Sequence, residues 1–184
     1  MADDDLAVAV SESLAPWAEQ LGDDRVAYAN HVIRVLLFCD ALAEASDAAA
    51  GRPSRRPEFI ACGVFHDLGI WTDRTFDYLV PSIELAADHL QVAGHEELIP
   101  LVSEMIDQHH KQRAAGAEDD PVELFRRADL VDVSLGARRF GIPRRRVSEI
   151  RRAYPNRGFH RRLVQLSAKR LIEHPTSPLP MFKW

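Results

Sequence analysis

The sequence predicts an all-α fold, a single-domain helical bundle, and three observations lead to that prediction. Apolar residues recur at helical spacing along most of the 184 residues, and no long stretch alternates between apolar and polar residues as a β-strand does. The chain is 46% hydrophobic and 28% charged, which is typical of a globular protein with a substantial core. Segments such as GRPSRRP, residues 51–57, separate the helical stretches with glycine and proline, as loops do.

The N-terminal part is predicted to hold four helices. The first is expected to bend near Pro16, and the second to start from Asp23 or Asp24 as its N-cap. The aromatic-rich stretch IWTDRTFDYLVP, residues 70–81, is predicted to connect the third helix to the fourth. The predicted bounds of these helices are 4–20, 24–46, 58–68 and 82–94.

The C-terminal part is predicted to hold four more helices and a proline-rich tail. A polar loop, AAGAEDD, precedes Asp120-Pro121, a pair that favours a helix start. The predicted bounds are 96–112, 120–135, 143–153 and 159–173.

Composition and charge limit the class of protein. The acidic start MADDDLAVAV lacks the basic region of a secretory signal, and no uninterrupted apolar run approaches the roughly 18 residues that span a membrane. These features predict a cytoplasmic protein without membrane partners. Cys39 and Cys62 lie among apolar residues, so buried free thiols are expected.

Several ionisable residues fall on predicted inward faces. His31 shares a helix face with Val35 and Phe38, and His66 follows Cys62 and Phe59 on another such face. Each residue alone is explained by a hydrogen bond in the core or at a helix end. Together they suit a divalent metal, because convergent imidazoles and carboxylates can satisfy one another by binding Zn, Mn, Fe or Ni. The inward set is His31, His66 with its neighbour Asp67, His109 and Asp129.

The order of these residues resembles the H…HD…D signature of the HD superfamily of metal-dependent phosphohydrolases. The segment ANHVIRV resembles the first helix of that family, FHDLG resembles its HD segment, and Asp129 stands in RADLVD. The resemblance covers residues of about 25–136, which is the expected core of the domain. It implies that His31, His66, Asp67 and Asp129 hold one divalent ion, with Co and Mg also open.

The resemblance leaves a second metal ion open. The segment IDQHHK resembles the "I-x-x-HH" segment of the family, so His109 and His110 are expected near the ion. Another family histidine is replaced by Pro81-Ser82, and His89 lies about 10 Å further along that helix, which disfavours it as a substitute.

Catalytic and substrate-binding roles follow from the chemistry that a bound metal ion would supply. Asp67 is expected to orient a water molecule, and Asp73, His109 or His110 to supply a proton to the leaving oxygen. Basic side chains are expected to neutralise phosphate, with a surface charge as the alternative for some of them. The candidates are Arg34, Lys111, Arg127 and, beside it, Arg126.

The sequence therefore predicts a metal-dependent hydrolase of a small phosphorylated substrate, such as a nucleotide. Two alternatives stay open: a cyanamide-hydratase-like enzyme acting on a small nitrogen compound, and a non-catalytic module that binds a metal or ligand. A homodimer is also open, whereas a nucleic-acid partner is disfavoured because the arginine-rich stretch 138–162 has few interleaved aromatic residues. Asp132 is expected to support a ligand histidine or to pair with Arg138, and residues 154–160 to border a pocket or form a turn.

Overall fold

The computed structural model describes residues 3–46, 51–75 and 77–173. In this part of the chain the regular elements are all helices, which confirms the predicted all-α bundle. The predicted proline-rich tail lies outside the described residues. The helices are α1 (Asp3–Ser13), α2 (Ala18–Leu21), α3 (Arg25–Ala45), α4 (Pro57–Phe65), α5 (Gly69–Thr72), α6 (Leu79–Val92), α7 (Ile99–Gln108), α8 (Pro121–Val133), α9 (Arg144–Ala153) and α10 (Phe159–Glu173).

Helix α3 is the centre of the bundle. It packs along α8 and also against α4, α1 and α9. Every side chain from His31 to Ala43 is buried, as expected for a helix that is surrounded by others. The two cysteines are free and buried, as predicted.

The apolar character of α3 corrects one expectation from the sequence. The helical segment Ala15–Ala45 is long and apolar enough to cross a membrane by length and composition alone. However, 83% of its apolar window is buried inside the bundle, and the core helix of a soluble protein meets the same criteria. The packing explains the hydropathy, and the cytoplasmic location stays a prediction.

The N-terminal helix is interrupted where Pro16 was expected to bend it. Helix α1 ends at Ser13, and a 3-10 turn at Ala15–Trp17 leads into α2. The predicted N-cap position of the next helix is confirmed, but its side chain does not cap the helix. Asp24 stands at the N-cap position of α3 without a capping hydrogen bond, because its carboxylate accepts from Trp71 Nε1 at 3.1 Å and pairs with Arg162.

The third predicted helix ends earlier than expected, and this difference shapes the site. Helix α4 stops at Phe65, and the chain makes a tight turn before α5, with Leu68 N bonded to Phe65 O and Ile70 N to Asp67 O. Adjacent residues on a regular helix point about 100° apart. The turn lets His66 and Asp67 approach one point from consecutive positions.

Two further helix boundaries differ from the prediction. Helix α6 starts at Leu79, three residues before the predicted Ser82, and α7 ends at Gln108, so His109 and His110 lie just beyond its last turn. Helix α8 starts as predicted, with the Asp120 carboxylate accepting from Val122 N at 2.8 Å.

Candidate metal centre

His31 on α3 is held in one tautomer by a carboxylate. Its Nδ1 lies 2.7 Å from Asp132 Oδ2, and the ring is fully buried. Burial alone would raise the pKa of Asp132, but Arg34 and His31 outweigh it and hold that pKa well below its usual range. The carboxylate is therefore ionised and accepts the Nδ1 proton, which leaves a lone pair on His31 Nε2.

His66 is fixed in the same way by the backbone. Its Nδ1 donates to the carbonyl of Gly63 at 2.9 Å, so its lone pair is also on Nε2. The two Nε2 atoms of His31 and His66 lie 3.0 Å apart. Two lone pairs at this distance repel each other unless a cation or a proton lies between them. Burial lowers the pKa of His66 to about 3, so a proton on His66 is disfavoured near neutral pH.

Two carboxylates complete this cluster. Asp67 Oδ2 lies 3.5 Å from His66 Nε2 and 3.8 Å from His31 Nε2. Asp129 Oδ1, from α8, lies 3.7 Å from His31 Nε2 and 3.9 Å from His66 Nε2. Asp67 and Asp129 are almost completely buried, at 3% and 1% exposed.

A third imidazole adjoins the cluster at its other side. His109 Nδ1 donates to the carbonyl of Ile106 at 2.6 Å, and its Nε2 lies 3.5 Å from Asp67 Oδ1. That distance is too long for a good hydrogen bond. Asp67 Oδ1, Asp129 Oδ1 and His109 Nε2 are accordingly buried atoms without a hydrogen-bond partner. Such atoms cost free energy unless a ligand satisfies them.

The charges of the cluster are unevenly balanced. Burial raises the pKa of Asp129 to about 6. Burial alone would also raise the pKa of Asp67, but His66 and His109 outweigh it and hold that pKa well below its usual range. Burial alone would lower the pKa of His109, but Asp67 outweighs it and raises that pKa. A proton on His109 and a divalent cation therefore compete for the same carboxylate.

The donor set fits a divalent transition metal. His31, His66 and Asp129 offer ligand atoms within 4.8 Å of one another, as do His66, Asp67 and His109. The 3.0 Å between the Nε2 atoms of His31 and His66 is short enough for both nitrogens to bind one ion. Several imidazoles favour Zn, Mn, Fe, Ni or Co over Mg, which prefers oxygen ligands. These buried groups could thus hold the predicted metal ion.

His110 forms the wall next to the cluster. The Tyr78 hydroxyl and His110 Nε2 lie 2.6 Å apart and share a hydrogen bond. Burial raises the pKa of Tyr78, and burial together with the charge of His109 lowers that of His110. The phenol therefore keeps its proton and the imidazole is neutral. His110 Nδ1 lies 3.9 Å from Asp129 Oδ2.

A cavity of about 360 Å³ opens from this cluster. Asp67, Asp129, His109 and His110 line it. Lys111 and the exposed Arg138 also line it, and neither side chain has an ion-pair partner among the described residues. The remaining lining is mostly apolar or aromatic and comprises Ile70, Tyr78, Leu130, Val133, Phe140 and Leu163, with Gln112, Arg126 and Ser167 between them.

Three predicted site residues lie elsewhere. Asp73 is exposed and its carboxylate accepts from Thr72 Oγ1, away from the cavity lining, because it follows the short α5. Arg34 is 1% exposed and its guanidinium binds Asp132 through two nitrogens, at 2.6 and 2.7 Å. Arg127 binds Glu123 and Glu118 and does not line the cavity. None of these three side chains lines the cavity next to the cluster.

The other candidates have clearer positions. His89 lies against Phe65 beside a separate cavity, as its place along the helix indicated. Arg126 lines the main cavity, but Glu123 neutralises it with two hydrogen bonds. Asp132 supports His31, which is the first of its two predicted roles.

Sequence reasoning missed three side chains that shape the centre: Phe159, His160 and Tyr78. Phe159 stacks on the His31 ring with centroids 4.1 Å apart, and His160 Nε2 lies 3.1 Å from the carbonyl oxygen of Asp132. Tyr78 orients His110. Weak signals existed, because the stretches that hold these residues, 70–81 and 154–160, combine aromatic and polar residues.

Comparisons of the chain with protein-family models, with curated proteins and with solved structures return no match. The site therefore has to be interpreted from its own geometry.

Proposed function

We propose that this protein is a metal-dependent hydrolase that acts on small phosphate esters. One observation supports this most strongly: three imidazoles with fixed tautomers and two buried carboxylates converge beside a cavity that Asp67, His109 and Asp129 line. In this cluster Asp67 Oδ1, Asp129 Oδ1 and His109 Nε2 have no hydrogen-bond partner. Natural proteins seldom leave so many buried polar atoms unsatisfied in one place without a functional reason.

We also propose that the chain is a member of the HD superfamily. The support is the resemblance of the H…HD…D series, together with the proximity of its four residues in an all-α bundle. Fold and family alone do not define a reaction, which depends on the residues of the site.

A divalent ion in this centre would supply Lewis acidity toward a phosphoryl oxygen and a hydroxide nucleophile near neutral pH. Asp132 and the Gly63 carbonyl keep the Nε2 lone pairs of His31 and His66 directed at one point. Phe159 covers the His31 ring and excludes water from that side. Asp67 has a second oxygen near His109, with which it can orient a water molecule.

The cavity wall supplies the remaining groups. Lys111 and Arg138 carry charges that can neutralise the ester anion. Tyr78 and His110 share a hydrogen bond at the wall, and this pair can donate a proton to an ester oxygen. His110, rather than the exposed Asp73, is therefore the better placed of the predicted proton donors.

The alternative functions are less well supported. A cavity of about 360 Å³ is far larger than a small nitrogen compound such as cyanamide requires. Lys111 and Arg138, which have no ion-pair partner in the part of the chain that the structure describes, also suit an anionic substrate better than a neutral one. A non-catalytic module would account for the ion but not for these cations beside it.

Metal analysis and an activity screen test the proposal. Protein purified without added metal should contain about one transition-metal ion per chain, and phosphate release from a panel of phosphate esters should depend on that ion. A second ion near His109 would raise the ratio toward two, and His109→Ala would lower it again. Cyanamide turnover without phosphate release would favour the hydratase. Absence of bound metal, and of activity after adding Zn, Mn, Fe, Ni or Co, would contradict the proposed function.

A further inference from the structure

The cavity lining combines the carboxylates and imidazoles with an apolar group of side chains, Leu130, Val133, Phe140 and Leu163, beside the polar residues Gln112, Arg126 and Ser167. A substrate body rich in hydroxyl groups would leave those that face the apolar side chains without partners, at a cost in binding free energy. A flat unsaturated ring would instead bury apolar surface there. The wall therefore favours an ester with such a ring.

Phe140 is the one aromatic side chain of this wall that lies outside the metal centre and its hydrogen bonds, within the described residues. Its backbone has φ 45°, in a region that non-glycine residues seldom occupy, and Gly141 follows with φ 93°. Such a conformation persists where the surroundings fix it. The next residue, Ile142, is 2% exposed and anchors the loop in the core.

A charged side chain supports the Phe140 ring from behind. The guanidinium carbon of Arg127 lies 5.2 Å from the ring centroid, within the range of a cation–π contact. Arg127 is itself held by Glu123 at 2.6 Å and by Glu118 at 3.0 Å. One side of the ring is thus fixed, while the ring still borders the cavity. A supported ring loses little freedom when a second ring packs on it.

We propose that Phe140 is a specificity-determining residue that selects phosphate esters carrying a flat unsaturated ring over esters of polyols. This inference rests on the proposed function and names the substrate class of the same site. Arg127 acts as a positioning residue, because it contacts Phe140 and not the cavity. This also gives a role to an arginine that the sequence pointed to as a direct phosphate ligand.

Calorimetric binding of two uncleavable phosphonates to the metal-loaded protein tests the inference. Phenylphosphonate should bind at least about tenfold more tightly than a dihydroxybutylphosphonate, the uncleavable analogue of a polyol phosphate, from stacking and burial of its ring. Phe140→Leu keeps apolar volume but removes the ring, and should lose most of this preference. Phe140→Tyr should keep it, and Arg127→Gln should weaken it. Circular dichroism verifies that each variant is folded.

The matched control is Val92→Ala, an apolar truncation at a side chain that is 91% exposed and outside the cavity lining. It should leave both affinities unchanged. Equal binding of the two phosphonates, or an unchanged preference in Phe140→Leu, would overturn the inference and leave the proposed function standing. If neither phosphonate binds, the proposed function fails together with the inference.

Discussion

Helix α8 carries two buried carboxylates that differ in one respect. Glu123 is fully buried and accepts from Ala115 N, from two nitrogens of Arg126 and from Arg127. Asp129, six positions later, is 1% exposed, and its Oδ1 has no hydrogen-bond partner. The same helix thus holds one charge that the fold satisfies and one that it leaves open.

The two carboxylates also differ in the pKa that the fold gives them. Burial raises the pKa of Asp129 to about 6, whereas at Glu123 burial is outweighed by Arg126, Ala115 N and Arg127, which lower the pKa to about 2. A carboxylate that is fully paired stabilises the native state, while an unpaired one stores a cost that a ligand can remove. We expect replacement by the corresponding amide to raise the free energy of unfolding at Asp129 and to lower it at Glu123.

The largest expected effect is that of Asp129→Asn on metal binding. Loss of the carboxylate removes a charged ligand from the centre, so bound metal and metal-dependent phosphate release should fall to background. In the metal-free protein the same change removes an unsatisfied buried charge, and the free energy of unfolding should rise by about 1 kcal/mol or more. Elemental analysis and urea unfolding measure the two effects. Full metal content in this variant would contradict the proposed role of Asp129 as a metal ligand.

The matched change, Glu123→Gln, should act on stability instead. It breaks hydrogen bonds to two arginines and leaves their buried nitrogens poorly paired, so unfolding free energy should fall by about 3 kcal/mol. Metal content should remain that of the unsubstituted protein. Urea unfolding with chelator present isolates the stability effect. A loss of metal without a loss of stability would show that the two carboxylates do not have separate roles.

A smaller effect is expected at Asp132, which contacts His31 and not the ion. Asp132→Asn removes the charge that orients the imidazole, and partners of this kind typically change metal affinity by about 10- to 100-fold. Competition with a metal chelator measures the affinity. Asp40→Asn is the control, because Asp40 is equally buried but is bonded to Ser54 and Arg52. Equal losses of affinity in the two variants would argue against a specific role for Asp132.

Part of the candidate site could be predicted from the sequence. Helical spacing was sufficient to place His31 and Asp129 inward, because apolar neighbours at three, four and seven positions define a buried face. It could not reveal that Arg34 turns to Asp132, since those residues are 98 positions apart and meet only when α3 packs on α8.

The turn after Phe65 was also beyond the pattern. Residues 58–68 have a continuous helical pattern, yet α4 ends early and the chain tightens around His66 and Asp67. Local propensity does not include the requirement that two adjacent side chains reach one point. Tyr78 and Phe159 were missed for a related reason, because their roles depend on the packing of distant segments against the two histidines His110 and His31.

The smallest expected effect is the pH dependence that Glu123 contributes. The pKa of Glu123 in the folded state is about 2, which is below its usual value. The stabilisation that this carboxylate contributes is therefore fully present at pH values above the usual pKa, and it is lost as the pH falls toward 2. Unfolding free energies between about pH 6 and pH 3, measured with chelator present, should therefore decline less steeply in Glu123→Gln than in the unsubstituted protein. The gap between the two curves should narrow toward acid. If it stays constant, Glu123 contributes through packing rather than charge, and its contrast with Asp129 loses its electrostatic basis.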